Sequence, residues 1–187
     1  MAIELEAKMR VADLDAVRTR LRALRAVPRG RVLEVNTFFD TLEQTLLKRD
    51  SGLRLRHSIA LPSGEEKHFV TFKGPQDHGE LKRREEIEFA VADGTAATSL
   101  FERIGYVPQL SFEKRRETWQ LGGCTIELDE LPDLGTFVEI EGPDDVSVMG
   151  VRDAMGLTGE PLVTSGYASM VAAWLKQHPD RGPVLRF

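Results

Sequence analysis

The N-terminal segment IELEAKM places ionisable side chains at alternate positions: Glu4, Glu6 and Lys8. In a β-strand, alternate side chains point to the same face, so two carboxylates and one ammonium would share a face. Glu4 and Glu6 would lie about 6–7 Å apart along the strand, and Glu139 and Glu141 repeat this spacing. Because Mg²⁺ and Mn²⁺ prefer oxygen ligands, the carboxylate pairs predict a site for one of these ions.

The same alternation recurs in seven strand candidates, and in each the polar face is almost entirely ionisable. This face collects seven cations and eight acids: Lys8, Arg54, Arg56, Lys73, Arg84, Lys114 and Arg116, with Glu4, Glu6, Glu86, Glu88, Glu127, Asp129, Glu139 and Glu141. A solvated outer surface with weak ion pairs is the alternative interpretation. However, several amphipathic helices need an apolar sheet surface to cover, which favours an inward charged face.

Three or four helices should cover that apolar surface. Asp13, Asp93 and Asp144 or Asp145 are candidate N-caps of the first three helices, and the fourth should span residues 165–177. Two further expectations concern helix limits and faces. Pro28 and Gly30 should end the first helix, and the second helix should bear Leu100, Phe101 and Ile104.

The fold class that follows is α+β: an eight-stranded antiparallel β-barrel with a charged lumen and helices packed outside. One domain should occupy residues 1–176, followed by a loose tail over residues 177–187. The polar segment 75–83 should be a mobile loop.

Composition narrows the possible partners. Of the 187 residues, 41% are hydrophobic and 29% are charged, which is ordinary for a soluble globular protein. The formal net charge of −5 argues against a general nucleic-acid partner. No apolar run is long enough for a membrane span and no secretory signal is evident, so we expect no membrane partner and a cytoplasmic location.

Seven cations on one set of walls would suit a phosphate chain, which the eight carboxylates alone would repel. A divalent cation resolves this conflict by bridging carboxylate and phosphate. The sequence has neither the G-x-x-x-x-G-K-[ST] loop nor the G-x-G-x-x-G turn of other phosphate-binding folds.

Several motifs, in order, resemble the CYTH family, also called triphosphate tunnel metalloenzymes. They are ELEAK, NTFFDT, LRLR, TFKGP, RREEIEF, EKRRE, LDELPDLGTFVEIEG and SGYASM, and they extend over about residues 1–175. The resemblance implies an eight-stranded tunnel that binds a triphosphate with Mg²⁺ or Mn²⁺. Asp40 and Tyr167 also fall within these motifs.

By resemblance, the metal ligands are Glu4, Glu6, Asp129, Glu139 and Glu141. The substrate-binding residues are Lys8, Arg54, Arg56, Lys73, Arg84, Lys114 and Arg116, with Glu86 and Glu88 beside them. Lys73, Glu4 and Glu6 are the predicted catalytic residues, and Lys73 or a carboxylate could position or deprotonate a water. In the strand that carries the doubled basic residues, Arg115 should point outward.

The resemblance to a triphosphate-binding family leaves three functions open. The motifs are most similar to the class IV adenylyl cyclase-like branch, which implies conversion of ATP to cyclic AMP and pyrophosphate. The alternative is a triphosphatase that acts on thiamine triphosphate or inorganic tripolyphosphate. A third possibility is a non-catalytic module that binds nucleotides or polyphosphate, and a homodimer is possible in each case.

Overall fold

The computed structural model describes residues 2–77 and 81–187. Within these residues lie nine strands and four α-helices. In chain order they are β1 (Ala2–Val11), α1 (Leu14–Ala23), β2 (Val27–Asp40), β3 (Gly52–Leu61), β4 (Glu66–Asp77), β5 (Lys82–Val91), α2 (Gly94–Arg103), β6 (Val107–Leu121), β7 (Cys124–Leu131), β8 (Gly135–Glu141), α3 (Asp145–Ala154), α4 (Tyr167–Gln177) and β9 (Val184–Leu185).

Eight of the strands form a closed antiparallel barrel. Their order is β2-β3-β4-β5-β1-β8-β7-β6, and a long β2–β6 pairing closes the ring. Closure gives each of the eight strands a paired neighbour on both sides and separates an inner face from an outer face. The predicted α+β barrel is therefore confirmed.

Many apolar side chains point outward from the barrel and are covered by helices, although Ile87 and Phe89 of β5 stay 43% and 55% exposed. Met9 of β1 lies in one core cluster with Leu21 of α1 and Val148 of α3. On another side, Phe101 of α2 packs with Leu55 of β3. Because the helices cover the apolar face, the alternate charged side chains must point inward.

The predicted helix starts are confirmed. The carboxylates of Asp13, Asp93 and Asp144 each accept hydrogen bonds from backbone N–H groups in the first turn of α1, α2 and α3. These contacts satisfy donors that a helix start leaves unpaired.

Helix α4 covers one end of the barrel rather than its side. Phe112 and Phe137 share the inward alternation of Lys114 and Glu139, yet both pack in a cluster with Val171 of α4. Tyr167, the first residue of α4, stacks edge-on against Phe137. The start of α4 therefore lies beside the barrel interior.

Helix α1 ends earlier than predicted. It finishes at Ala23, and Arg25 adopts a left-handed conformation with φ of 58° that turns the chain out of the helix. Pro28 and Gly30, expected to end the helix, instead lie in β2 on either side of a register shift. The bulge accommodates both residues in a strand.

The prediction of a mobile loop over residues 75–83 is wrong where the structure describes it. Strand β4 continues to Asp77 and β5 begins at Lys82, with Gln76 and Asp77 paired to Arg84 and Arg83. A register shift after Lys73 lets the strands continue. Residues 78–80 of the predicted loop lie outside the described residues.

The C-terminal segment is not a loose tail. After a 3-10 turn over Pro179–Arg181, β9 pairs in parallel with β6 at Ser111 and Phe112. Leu185 is only 1% exposed and packs in the same cluster as α4. A two-residue strand gives too little alternation to be recognised in sequence. The domain boundary at residue 176 stays a prediction.

The three apolar residues expected on α2 differ in their burial. Phe101 is buried, but Leu100 and Ile104 are 57% and 60% exposed. The helix contacts the barrel through Ala97 and Phe101, which turns the other two side chains away.

Candidate functional site

The barrel encloses a cavity of about 1120 Å³. The predicted site residues that line it are Glu4, Glu6, Lys8, Arg54, Arg56, Lys73, Arg84, Glu86, Glu88, Lys114, Arg116, Glu139 and Glu141. Asp129 lies just behind this lining, fully buried and in contact with Arg116. The structure therefore brings all the predicted site residues to one lumen. Arg115, by contrast, pairs outside the barrel with Glu130, as predicted.

Lys73 joins two carboxylates from neighbouring strands. Its Nζ lies 2.7 Å from Glu4 Oε2 and 2.7 Å from Glu86 Oε2. Burial opposes ionisation of Glu4, but Lys73 and a hydrogen bond from Glu86 bring the pKa of Glu4 to about 2. Burial and the hydrogen bond with Glu4 raise the pKa of Glu86 to about 7. Glu86 therefore holds a proton more readily than Glu4.

The ammonium of Lys73 is held in its charged form. Burial alone would lower the pKa of Lys73, but Glu4 and Glu86 outweigh it and raise the pKa. A protonated Lys73 can stabilise negative charge on a phosphate but cannot remove a proton from water. Of the two roles predicted for Lys73 or a carboxylate, this favours a carboxylate for proton removal.

Glu6 and Lys8 belong to a second buried network. Glu6 Oε1 accepts a hydrogen bond of 2.6 Å from Lys82 Nζ and lies 3.5 Å from Lys8 Nζ. Lys8 Nζ also lies 3.0 Å from Glu139 Oε1 and donates to the backbone oxygen of Ser165, just before α4. Thus Lys8 connects the acidic wall of the lumen to the start of α4.

Arg116 is surrounded by three carboxylates. Its guanidinium donates two hydrogen bonds, of 2.7 and 2.5 Å, to Asp129, one of 2.6 Å to Glu139, and also contacts Glu127. Burial and the charge of Asp129 raise the pKa of Glu127 to about 8, although Arg116 opposes this shift. Lys114 also contacts Asp129, and Lys8 contacts Glu139, so β7 and β8 form an acidic wall that is paired with cations of β6 and β1.

The opposite wall, formed by β3, has the reverse balance. Arg54 and Arg56 both contact Glu88, at 3.3 and 2.7 Å, and Arg56 also lies 3.5 Å from Glu34. Burial and the neighbouring charge of Arg56 lower the pKa of Arg54. A cationic wall facing an acidic wall suits a phosphate chain on one side and metal ions on the other.

Arg84 reaches the cavity but makes its hydrogen bonds to the backbone. Its Nε donates to the carbonyl oxygen of Gly74 at 2.8 Å, and an η nitrogen donates to that of Asp50 at 2.7 Å. These bonds hold the start of β3 close to the β4–β5 pair. Among residues 2–77 and 81–187, Arg84 forms no ion pair, so it brings a positive charge to the cavity.

The predicted site leaves out four inward side chains: Glu34, Asn36, Thr71, which shares the polar face of its strand with Lys73, and Lys82. Glu34 is buried 3.3 Å from Lys114 Nζ, and Thr71 donates a 2.7 Å hydrogen bond to Glu88. The signal for Glu34 and Asn36 was the alternation in RVLEVNTFFD. Lys82 has the same parity as Arg84, but assigning residues 75–83 to a loop concealed it.

Asp40 and Tyr167, from the recurring motifs, play different parts. The Asp40 carboxylate accepts hydrogen bonds from the backbone N–H groups of Thr41, Leu46 and Leu47, which organise the turn after β2. Two ammonium groups lie near the Tyr167 ring, with Lys8 Nζ 4.1 Å and Lys114 Nζ 5.2 Å from its centroid.

The acids of the lumen fit a hard divalent cation. Carboxylate oxygens of Glu127, Asp129 and Glu139 all lie within 4.8 Å of one another. Burial and the charges of Glu4 and Glu6 raise the pKa of Glu141, which indicates a second group of acids with too little positive charge. Oxygen-only donor sets of this kind suit Mg²⁺ or Mn²⁺.

A closed antiparallel barrel lined by facing cations and acids defines the class of charged-tunnel proteins. A CYTH domain match covers residues 2–147, so the chain belongs to the CYTH family. Members of this family are metal-dependent enzymes that act on triphosphate substrates. Among the described helices, none has the length and apolar character to cross a membrane.

Similar proteins span nearly the same length. A protein of Methanocaldococcus jannaschii, named "Putative adenylate cyclase MJ0240", is 27% identical over 90% of this chain and 98% of its own. The solved structure of the PH1819 protein of Pyrococcus horikoshii is 24% identical, with a TM-score of 0.78, over 91% of this chain and 99% of its own.

A third similar protein comes from Hippeastrum. Its structure is described as "Putative adenylyl cyclase HpAC1 from Hippeastrum reveals a dominant triphophatase activity". It is 24% identical, with a TM-score of 0.65, over 90% of this chain and 94% of its own.

Proposed function

We propose that the protein is a metal-dependent triphosphatase, which hydrolyses the terminal phosphate of a triphosphate substrate such as tripolyphosphate or thiamine triphosphate. The observation that carries this proposal is the nature of the cavity wall, which is dominated by charged side chains. Such a wall recognises a phosphate chain and makes few demands on the group attached to it.

The aromatic side chains at the cavity support hydrolysis over nucleotide recognition. Among the described lining residues they are Phe38, Phe112 and Tyr167. Phe38 stacks on Phe112, while Tyr167 packs on Phe137 and lies near the ammonium groups of Lys8 and Lys114. Each ring already has a packing partner, which reduces the aromatic surface available for stacking on a nucleobase.

In this proposal the cations bind and orient the phosphate chain. Arg54 and Arg56 supply planar, forked donors, and Lys73 and Lys114 supply point charges. Glu4, Glu6, Asp129, Glu139 and Glu141 would hold the Mg²⁺ or Mn²⁺ ions, with Glu127 completing the group around Asp129. When bound, the ions would neutralise charge on the phosphates and lower the pKa of bound water.

The hydrolytic step breaks one phosphorus–oxygen bond. A water oxygen bonds to the terminal phosphorus, the bond from that phosphorus to the bridging oxygen breaks, and the bridging oxygen keeps the electron pair. The proton of the water passes to a carboxylate of the lumen. Lys73, held as an ammonium, stabilises charge on the phosphates during this step.

Adenylyl cyclase activity, which the sequence motifs favoured, is the second candidate. The name of the Methanocaldococcus jannaschii relative supports it, and a cavity of about 1120 Å³ has room for a nucleoside triphosphate. In that reaction the ribose 3′-hydroxyl attacks the α-phosphorus and pyrophosphate leaves. The lumen would bind the same triphosphate group in both reactions.

Product identity distinguishes these functions. Purified protein is incubated with tripolyphosphate, thiamine triphosphate or ATP, with Mg²⁺ or Mn²⁺ and in parallel with excess EDTA. We expect metal-dependent release of orthophosphate and a diphosphate-terminated product. Formation of cyclic AMP and pyrophosphate would replace this proposal with the cyclase. Binding without turnover of any substrate would indicate a non-catalytic module.

A further inference from the structure

Asn36 is a buried residue of the lumen that none of the steps above uses. It lies on the inner face of β2, is 1% exposed and contributes to the cavity wall. Its Nδ2 lies 3.4 Å from Glu34 Oε2. Among the described residues, no donor reaches the other end of the amide, Oδ1.

The neighbouring charges fix which way this amide points. Lys114 and Arg56 lie 3.3 and 3.5 Å from the Glu34 carboxylate and keep it ionised. An ionised carboxylate can only accept hydrogen bonds, so the N–H end of Asn36 must face it. A flipped amide would place two acceptors against each other. Oδ1 is therefore held as an acceptor that lacks a donor.

A buried acceptor without a partner is costly, so it calls for an explanation beyond packing. An apolar side chain of similar size would fill the same space without that cost. The missing donor is an N–H or O–H group that the free protein does not supply. An ionised phosphate oxygen cannot fill this role because it only accepts hydrogen bonds.

We propose that Asn36 Oδ1 accepts a hydrogen bond from the water that attacks the terminal phosphorus. This inference rests on the proposed hydrolysis and assigns one more residue to that site. Lys114 and Arg56, the neighbours of Glu34, are both expected to bind phosphate, so Oδ1 lies next to the phosphate chain. When the phosphate chain binds Lys114 and Arg56, these side chains move away from Glu34, and a water is accommodated beside Oδ1.

The amide orients the water and does not take its proton. One O–H bond points to Oδ1, which aims an oxygen lone pair at phosphorus. As the new phosphorus–oxygen bond forms and the bridging bond breaks, the proton passes to a carboxylate of the lumen, as above. A side chain with this role affects the turnover rate more than the binding of substrate.

The test compares Asn36→Leu with Thr37→Val in tripolyphosphate hydrolysis. Leu keeps the size of the side chain and removes the acceptor. We expect kcat to fall about 100-fold, as for other groups that orient a reacting water, with KM within about 3-fold of wild type. Thr37 is the matched control, because it is the next residue of β2 and its hydroxyl bonds to Ser111. Thr37→Val should keep kcat within about 3-fold.

Asn36→Asp provides a second readout with a defined pH dependence. When protonated, the new carboxyl group can donate to Glu34 through its hydroxyl and still present a carbonyl acceptor. When ionised, it repels Glu34 and the phosphate chain. We expect kcat of Asn36→Asp relative to wild type to be highest at low pH and to fall as pH rises. A packing role alone would not give this trend.

Each outcome decides the inference. An Asn36→Leu kcat within about 3-fold of wild type, or a loss confined to KM, would overturn it. If wild type forms cyclic AMP, the hydrolase proposal fails and so does the assignment to water. A wild-type protein that hydrolyses tripolyphosphate while Asn36→Leu does so equally well would overturn only the role of Asn36.

Discussion

Glu4 and Glu6 show how an alternating pair becomes a candidate metal site. Each is neutralised in the lumen by a lysine, at 2.7 Å from Lys73 and 2.6 Å from Lys82. When a phosphate group binds the lysine, the carboxylate loses its ammonium partner and can bind a metal ion instead. The pairs therefore hold the lumen charges in balance until ligand enters.

We expect Glu4→Gln and Glu6→Gln to lower metal-dependent turnover at least about 100-fold, because a neutral amide is a poor ligand for a hard divalent cation. The measurement is phosphate release against Mg²⁺ concentration. Glu130→Gln is the control, because Glu130 pairs with Arg115 outside the barrel. Undiminished turnover in both lumen variants would exclude this metal assignment.

Glu34 makes a charge contribution to stability that depends on pH. Burial opposes its ionisation, but Lys114 and Arg116 lower its pKa below the ordinary value. A lowered pKa stabilises the fold above the pKa of the unfolded chain, and the contribution is lost as pH falls through the folded value. We therefore expect Glu34→Gln to lower the free energy of unfolding at pH 7 by about 2–4 kcal/mol.

Urea unfolding measured at several pH values tests whether the stabilisation by Glu34 decreases as pH falls. The difference between wild type and Glu34→Gln should shrink steadily as pH is lowered from 5 towards 3. A difference that grows with acidity would contradict the lowered pKa. Glu130→Gln, at an exposed pair, should change stability by less than about 1 kcal/mol throughout.

Alternation made most of the charged residues predictable, and its limits explain the rest. Lys114 and Arg116 are predicted to point inward because alternate residues of their strand share one face, and that face is charged. The same rule applied to β2 would have found Glu34 and Asn36. The pairing of acids with cations was not predictable, because contacts across the lumen depend on barrel closure rather than on sequence spacing.

At the scale of elements, helix caps and barrel strands followed from local chemistry, whereas the C-terminal strand did not. Asp13 and Asp93 predict the starts of helices because their carboxylates can accept hydrogen bonds from the unpaired backbone N–H groups of the first turn. Strand β9 forms only because β7 begins to pair with β6 beyond Phe112, which leaves an edge at Ser111 and Phe112. Its two residues gain their stability from tertiary contacts with that edge and with α4.

Leu185 should therefore contribute to stability well beyond what a loose tail would. Leu185→Ala removes a side chain that is 1% exposed and packs against the α4 cluster, at an expected cost of about 2–4 kcal/mol in urea unfolding. Val184→Ala is the matched control, because Val184 is the neighbouring residue of β9 and is 37% exposed. Equal, small effects of both changes would contradict the packing seen here.

At the scale of the whole molecule, the barrel separates two kinds of surface by a single rule of parity. Helices cover the apolar outer face. The lumen collects cations, which attract a phosphate chain, and acids, which would repel it without a metal ion. The sequence could predict this arrangement because the rule is local and repeats from strand to strand, with Phe112 and Phe137 as apolar exceptions at inward positions. It could not define the substrate, because the group attached to the triphosphate leaves no repeated pattern. The possible homodimer stays a prediction.

The most direct test of the account is calorimetric titration with the imido-bridged analogue of tripolyphosphate in the presence of Mg²⁺. We expect one analogue per wild-type chain and a loss of affinity of at least about 100-fold in the Arg54→Met, Arg56→Met double variant, since two charge-assisted contacts are removed. Arg115→Met, which changes an outward arginine of the same barrel, should bind like wild type. Equal affinity in the double variant and wild type, or no binding to wild type, would contradict a triphosphate site in the lumen.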